Sequence, residues 1–304
     1  MCGLFGFSCY GENQIKDLTG LTNSLAEQSA VRGTDATGIA FVQGKGITIQ
    51  KDSKSAYKLL LKHLDNITAL IGHTRHSTQG SEKKNYNNHP FSGKTDNCRF
   101  TLAHNGVLIN DEELRKKLRL PKTRIETDSY IAVQLIEAKK KLNMDTLKYM
   151  AETVEGSFSF SVLDDKNNLY LIKGDSPLSI LHFPKLKIYV YASTDEILYK
   201  ALVDYSPLFS ALKKGEFEAV DISEGDILKI KPDGNIEQAK FNYNCYTGRS
   251  WWSFGNIATN DYIADLKSVA AYQGYSPEDV DELLSYGWFP EEIEDYIYGC
   301  ECEV

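Results

Sequence analysis

No stretch of the 304-residue sequence stays apolar for the roughly 20 residues that a helix needs to cross a bilayer. The start, Met-Cys-Gly-Leu-Phe-Gly-Phe, lacks the basic n-region and long apolar core of a signal peptide. The expectation is a soluble, cytoplasmic chain with no membrane association. Cysteine is scarce: Cys2, Cys9, Cys98, Cys245, Cys300 and Cys302 are too few for a disulfide scaffold at this length, and no C-x-x-C spacing occurs. Cys300 and Cys302 have no second pair nearby, so they read as free thiols in a tail rather than as metal ligands. Internal repeats and low-complexity tracts are absent, which excludes solenoid and disordered classes. Positive charge is also in deficit. A net of −8 argues against a nucleic-acid-binding surface.

What remains is the composition of a folded protein, 42% hydrophobic and 25% charged, enough for one large or two modest domains. The acidity is concentrated: residues 260–304 carry twelve acidic side chains and one lysine, so the rest of the chain is close to neutral. That asymmetry sets the tail apart. We divide the chain into a main domain at 2–240, an aromatic linker packed on it at 241–259, and an acidic helical module at 260–304.

Apolar runs predict strands at Leu4–Cys9, Gly38–Val42, Ile47–Gln50, Ala69–His73, Phe100–Ile109, Phe158–Leu163, Leu169–Ile172, Ser179–His182, Ile188–Ala192 and Ile227–Ile230. Helical spacing predicts helices at Ile15–Ser29, Leu59–Leu64, Asp111–Leu118 (with an Asp cap) and Asp128–Lys141. Helices grouped around many strands, without βαβ alternation, indicate an α+β layered fold with antiparallel sheets. In the tail, Asp261–Gln273, Ser276–Tyr286 and Pro290–Tyr298 predict three short helices, the second opening on a Ser-Pro-Glu-Asp start. The tail's aromatics are expected in its core more often than at an interface.

Cys2 carries the first chemical signal. Removal of Met1 would put a thiol and a free α-amine on one residue. An α-amine titrating near ~7.7–8.0 is partly neutral at pH 7 and can take the thiol's proton, making a nucleophile toward a carboxamide. Further on come Val31-Arg32-Gly33-Thr34-Asp35-Ala36-Thr37-Gly38, Ile71-Gly72-His73-Thr74-Arg75-His76-Ser77-Thr78-Gln79-Gly80, Asn88-His89-Pro90-Phe91, Leu102-Ala103-His104-Asn105-Gly106-Val107, Glu126-Thr127-Asp128-Ser129 and Ala192-Ser193-Thr194-Asp195. With the Met-Cys-Gly-Leu-Phe-Gly start, these segments resemble, in order, the motifs of class II glutamine amidotransferases over residues 2–240. The resemblance is shared between the glucosamine-6-phosphate synthase and amidophosphoribosyltransferase branches.

The resemblance implies a four-layer αββα sandwich of the N-terminal-nucleophile (Ntn) hydrolase kind, with a small C-terminal three-helix module. It implies Cys2 as nucleophile and Asn105 with Gly106 as the oxyanion hole. Arg75, Thr78 and Asp128 would hold the carboxylate and ammonium of glutamine, with Arg32 and His89 completing the substrate-binding set. Arg32 and Asp35 are expected to shape their loop, their side chains pairing. These residue types suit the ligand. Glutamine presents a carboxylate, an ammonium and a reacting amide, so a site for it needs a cation, an anion and an oxyanion stabiliser.

No metal and no cofactor is expected; the spacing of His73, His76, His89 and His104 fits no zinc pattern. His76 departs from both branches, which place Trp or Tyr there in the loop that closes over glutamine. A second, ammonia-receiving catalytic domain has no motif in the tail. The expected partner is therefore an ammonia-accepting protein met through residues 260–304, with homo-oligomerisation left open. Two other functions stay open on sequence alone. One is hydrolysis of a γ-glutamyl amide other than glutamine, since Arg75 and Asp128 grip only the glutamyl half. The other is a catalytically retired scaffold acting as a binding protein.

Overall fold

Successive side chains on a strand point to opposite faces, so a strand buried on both faces joins two separate cores. The computed structural model describes residues 2–243 apart from 13, 14, 45, 63, 65 and 204, and a discontinuous set within 263–297. In it, strand β1 (Gly3–Cys9) behaves in this way: Leu4 faces one apolar layer while Phe5 and Phe7 face another.

Strands β2 (Ala36–Gln43), β3 (Gly46–Asp52), β4 (Ala69–Arg75), β9 (Ser179–Phe183), β10 (Ile188–Ala192) and β11 (Glu218–Ala219) join β1 in a seven-stranded sheet, ordered β11-β9-β10-β1-β4-β2-β3. Strands β5 (Phe91–Lys94), β6 (Arg99–Leu108), β7 (Gly156–Asp164), β8 (Leu169–Lys173), β12 (Asp226–Ile230) and β13 (Ile236–Lys240) form a six-stranded sheet, ordered β13-β12-β8-β7-β6-β5. Every pairing described is antiparallel.

Between the sheets lies a layer containing Leu4, Ile71, Ala103, Leu163, Leu171, Tyr191 and Leu228. Helices α1 (Leu18–Ser29), α5 (Asp195–Val203) and α6 (Ser206–Lys213) cover the outer face of the first sheet, with Leu21, Leu25, Leu198 and Leu208 against Phe5, Phe7 and Phe41. Helices α2 (Asp111–Lys117), α3 (Tyr130–Ala138) and α4 (Met144–Thr153) cover the second, with Leu114, Ile131, Leu135 and Leu147 against Phe158 and Phe160. The result is the αββα sandwich. Each such side chain contributes about 1.5–3 kcal/mol by leaving water, so three apolar layers hold the two sheets in fixed register.

Two expectations change. The described residues of Leu59–Leu64 are not helical, because side chains of α1 satisfy their backbone: Asn23 Oδ1 accepts from Leu61 N (2.9 Å), Asn23 Nδ2 donates to Leu61 O (3.0 Å), and Thr19 Oγ1 accepts from Leu64 N (3.0 Å). Asp111 is the first helical residue of α2 rather than its cap; Asn110 holds the cap position and Asp111 pairs with Arg115 at 2.5 Å.

The tail helix α7 (Pro277–Ser285) starts as expected, on a capping box between Ser276 and Asp279. Leu266, Ala270, Val280, Ile293 and Ile297 cluster behind it and touch Val31 of the main domain. Trp288 packs on this cluster, but Tyr286 and Tyr296 are exposed. Most of the other two tail helices, and Cys300 with Cys302, lie outside the described residues. Of the linker, only residues 241–243 are described: Phe241 is buried against the second sheet and Tyr243 Oη donates to Gly156 O (3.2 Å).

Candidate active site

Cys2 precedes β1 and shares the parity of Leu4, so the alternation turns it toward the space between the sheets. Its Sγ lies 3.5 Å from the His76 carbonyl oxygen, just past the end of β4, and its own carbonyl accepts from Arg32 Nε at 2.8 Å. Arg32 is buried in the turn after α1. A Cβ on Gly33 would overlap the Arg75–His76 peptide, so glycine there lets the Arg32 turn lie flat on the end of β4. Asp35 accepts from the Ser77 amide at 2.8 Å and approaches His76 Nδ1 at 3.9 Å, which ties the His76 segment down. Burial pushes the Cys2 thiol above its usual range, while the Arg75 and Arg32 guanidiniums pull it down.

Arg75 ends β4 and is buried. Its Nη1 donates to Asn88 Oδ1 (2.6 Å), and its Nη2 donates to the carbonyls of Gln79 (2.5 Å) and Gly80 (2.7 Å). These bonds use three of the five guanidinium donors and lock its plane. Thr78 is exposed in the same loop.

Asn105 and Gly106 lie within β6, opposite Ser159 and Phe158 of β7. They are not a hairpin turn. Asn105 is buried, and its Nδ2 has no hydrogen-bond partner among the described residues. A buried amide donor left unmade costs about 1–3 kcal/mol. Gly106 has φ 126°, a region that side-chain-bearing residues rarely adopt.

Asp128, just before α3, is buried; its Oδ2 accepts from Leu108 N at the end of β6 (2.7 Å) and its Oδ1 from Ser129 Oγ (3.4 Å). Burial raises its carboxyl above the usual range, against the pull of the Leu108 and Ser129 amides. Ser129 Oγ also meets His104 Nδ1 at 2.8 Å. His73 Nε2 of β4 meets the His104 carbonyl of β6 at 3.0 Å, a direct bond between the two sheets beside the site.

The His89 ring lies tilted 4.1 Å from the His73 ring and 4.3 Å from Phe91, with neither ring nitrogen hydrogen-bonded among the described residues. Burial drives all three histidines down, His73 to about 3, His104 to about 4 and His89 well below its usual value. They are neutral near pH 7. The charge of this region is therefore carried by cations such as Arg32, Arg75 and Lys51.

Arg75, His73, Asn105 and Asp128 thus gather where β4 faces β6, with Cys2 and Arg32 at the end of β1. Ser193 Oγ accepts from Leu4 N (2.8 Å), and Thr194 Oγ1 caps α5 at Ile197 N (3.2 Å), so that segment braces β1. Three further residues were not singled out from sequence. Lys51 donates to the Asn88 and Pro90 carbonyls, Asn87 ties the loop to Glu126 (2.9 Å), and Ser129 links His104 to Asp128. Lys51 and Asn87 lie outside the motif segments, with no spacing to mark them.

Residues 73–200 match the family model described as a glutamine amidotransferase domain. The glutamine–fructose-6-phosphate aminotransferase (isomerizing) of Oceanobacillus iheyensis is 34% identical over 191 residues, covering 59% of this chain and 30% of that protein. The protein of the same name from Staphylococcus aureus strain N315 is 35% identical over 188 residues, with the same coverage. The chain thus matches under a third of these relatives' length. Among solved structures, the glutamine phosphoribosylpyrophosphate amidotransferase from B. subtilis, complexed with ADP and GMP, matches with a TM-score of 0.61 at 21% identity, covering 80% of this chain and 50% of that one. That match concerns the fold. Residues 73–200 thus resemble a glutamine amidotransferase domain in sequence, and the chain shares the fold of that solved structure.

Proposed function

We propose that this domain hydrolyses L-glutamine to glutamate and ammonia through a γ-glutamyl thioester on Cys2. The observation that carries the reading is the unpartnered Asn105 Nδ2, buried between the sheets beside Gly106 in a site that also holds Arg75 and Asp128. A donor with no acceptor among the described residues suits an oxygen that becomes negative only during reaction.

With Met1 removed, the α-amine of Cys2 takes the thiol proton as Sγ bonds to the amide carbon. The Asn105 side chain and the Gly106 N–H hold the oxyanion. The proton then passes to the leaving nitrogen as the C–N bond breaks, releasing ammonia. Water adds to the thioester, the C–S bond breaks, and glutamate leaves with the thiol restored. Arg75, with Thr78 at its loop, takes the α-carboxylate, and Asp128 takes the α-ammonium. Arg32 fixes the Cys2 backbone, and His89 backs the carboxylate pocket.

The ammonia passes to an acceptor enzyme or subunit that meets the acidic module at 260–304. The acidic α7 and the exposed Tyr286 support that surface. Incubating processed protein with glutamine tests the reaction: equal amounts of glutamate and ammonia are expected, and none from Cys2→Ala. A processed wild type yielding neither product contradicts the reading. Recovery of an acceptor enzyme that is equal with and without 260–304 would count against the module.

A further inference from the structure

Strand β3 brings Lys51 opposite Gly38 of β2. A Cβ on Gly38 would overlap the His89 carbonyl, so the absence of a side chain lets the 88–91 segment lie against this edge of the sheet. Lys51 Nζ then donates to Asn88 O (2.5 Å) and Pro90 O (3.2 Å) and sits 5.3 Å from the centre of the Phe91 ring. These acceptors are neutral, so they leave its charge in place.

The charged groups around it do not cancel that charge. Arg75 from β4 and Arg124 from the segment before α3 are cations that oppose it, and His89 is neutral. Asp52, its neighbour on β3, pairs with Lys54 at 2.8 Å. Asp35, Glu82 and Asp128 act on Arg75 instead. Burial, Arg75 and Arg124 together lower Lys51 to about 8. A partly buried cation beside a second cation is costly unless an anion joins them.

The same segment aims the second cation. Asn88, whose carbonyl Lys51 holds, accepts from Arg75 Nη1 through its side chain, while its Nδ2 donates to the Glu82 carbonyl (2.8 Å). Asn85 Nδ2 closes the knot on the Lys51 carbonyl (2.7 Å).

We propose that Lys51 is a specificity-determining residue: a partly buried cation, lacking a counter-anion among the described residues, that together with Arg75 makes a free α-carboxylate on the ligand a condition of tight binding. The inference rests on the reading of Arg75 as the carboxylate-binding residue. It narrows the substrate class to glutamine and γ-glutamyl compounds with a free α-carboxylate, and it excludes glutamine whose α-carboxyl is in a peptide bond.

Calorimetry on the full chain carrying Cys2→Ala, so that nothing turns over, separates the alternatives. The ligands are L-glutamine and L-glutamine α-amide, which lacks the carboxylate. Lys51→Met and Lys51→Gln, the latter keeping a hydrogen-bond donor without the charge, should each weaken glutamine binding roughly tenfold or more. Lys51→Arg should restore most of it. Binding of the α-amide should be weak already and unchanged by any of the three. Equal weakening of both ligands, or no change for glutamine, overturns the role of Lys51. Absence of binding by either ligand before Lys51 is touched overturns the substrate reading itself.

Discussion

Gly106 and Ser157 approach so closely across β6 and β7 that a Cβ on Gly106 would overlap the Ser157 carbonyl oxygen. The same contact brings the Gly106 backbone against the partner strand at φ 126°. Gly106→Ala should therefore cost about 3 kcal/mol or more, from the strained φ and the overlap together. Denaturant unfolding measures this; a variant as stable as the wild type would refute the steric account.

Asn105 invites the opposite result. Its Nδ2 is buried without a partner among the described residues, so no bond to that nitrogen is lost when it is removed. Asn105→Leu, close in shape, is expected to keep the melting temperature within a few degrees. Turnover should fall about 100- to 1,000-fold, the usual effect of deleting one oxyanion donor. Turnover that survives while stability collapses would make Asn105 a structural residue.

The buried histidines make stability depend on acid. In the fold, His73 and His104 protonate only near pH 3 and 4, and His89 well below its usual value, whereas an unfolded His does so near ~6.5. Their contribution is complete above about pH 6.5 and is lost as pH falls toward the folded values, at up to ~1.4 kcal/mol per pH unit for each proton. The melting temperature should drop steeply between pH 6.5 and 4.5, and less steeply in His89→Phe. A flat profile would contradict the buried neutral cluster.

Asp128 predicts a second pH effect, on substrate affinity. Burial lifts its carboxyl above the usual value of about 4, so it loses its charge at a higher pH than an exposed aspartate. KM for glutamine should rise as pH falls through that range, with kcat changing less. Asp128→Asn should raise KM about 100-fold and erase this limb, yet fold normally, since its side-chain oxygen can still accept from Leu108 N. An unchanged KM would remove Asp128 from the substrate site.

Much of this architecture is written in period-two alternation. Ile188–Ala192 is apolar on both faces because its sheet is covered on both sides, while Gly156–Asp164 alternates Phe158, Phe160 and Val162 with serines, and both patterns are legible in the chain. Leu59–Leu64 mimics a helix because leucine spacing does not reveal that Asn23 and Thr19 will take over its backbone bonds. Helices α4, α5 and α6 are hidden because each spans only about two to three turns. Within the site, Cys2, Arg75, Asn105-Gly106 and Asp128 stand out because their motifs are contiguous. Lys51 does not, since its meaning comes from the Asn88 and Pro90 carbonyls far along the chain.

The central claim is that Cys2 is the nucleophile for a γ-carboxamide. Its most direct test is covalent labelling of the processed chain with a glutamine-mimicking diazoketone, followed by mass mapping of the peptides. One label per chain on Cys2, blocked by excess glutamine, is the predicted result. No label, or a label on Cys9 or Cys98 while the amino terminus at Cys2 is free, would contradict it.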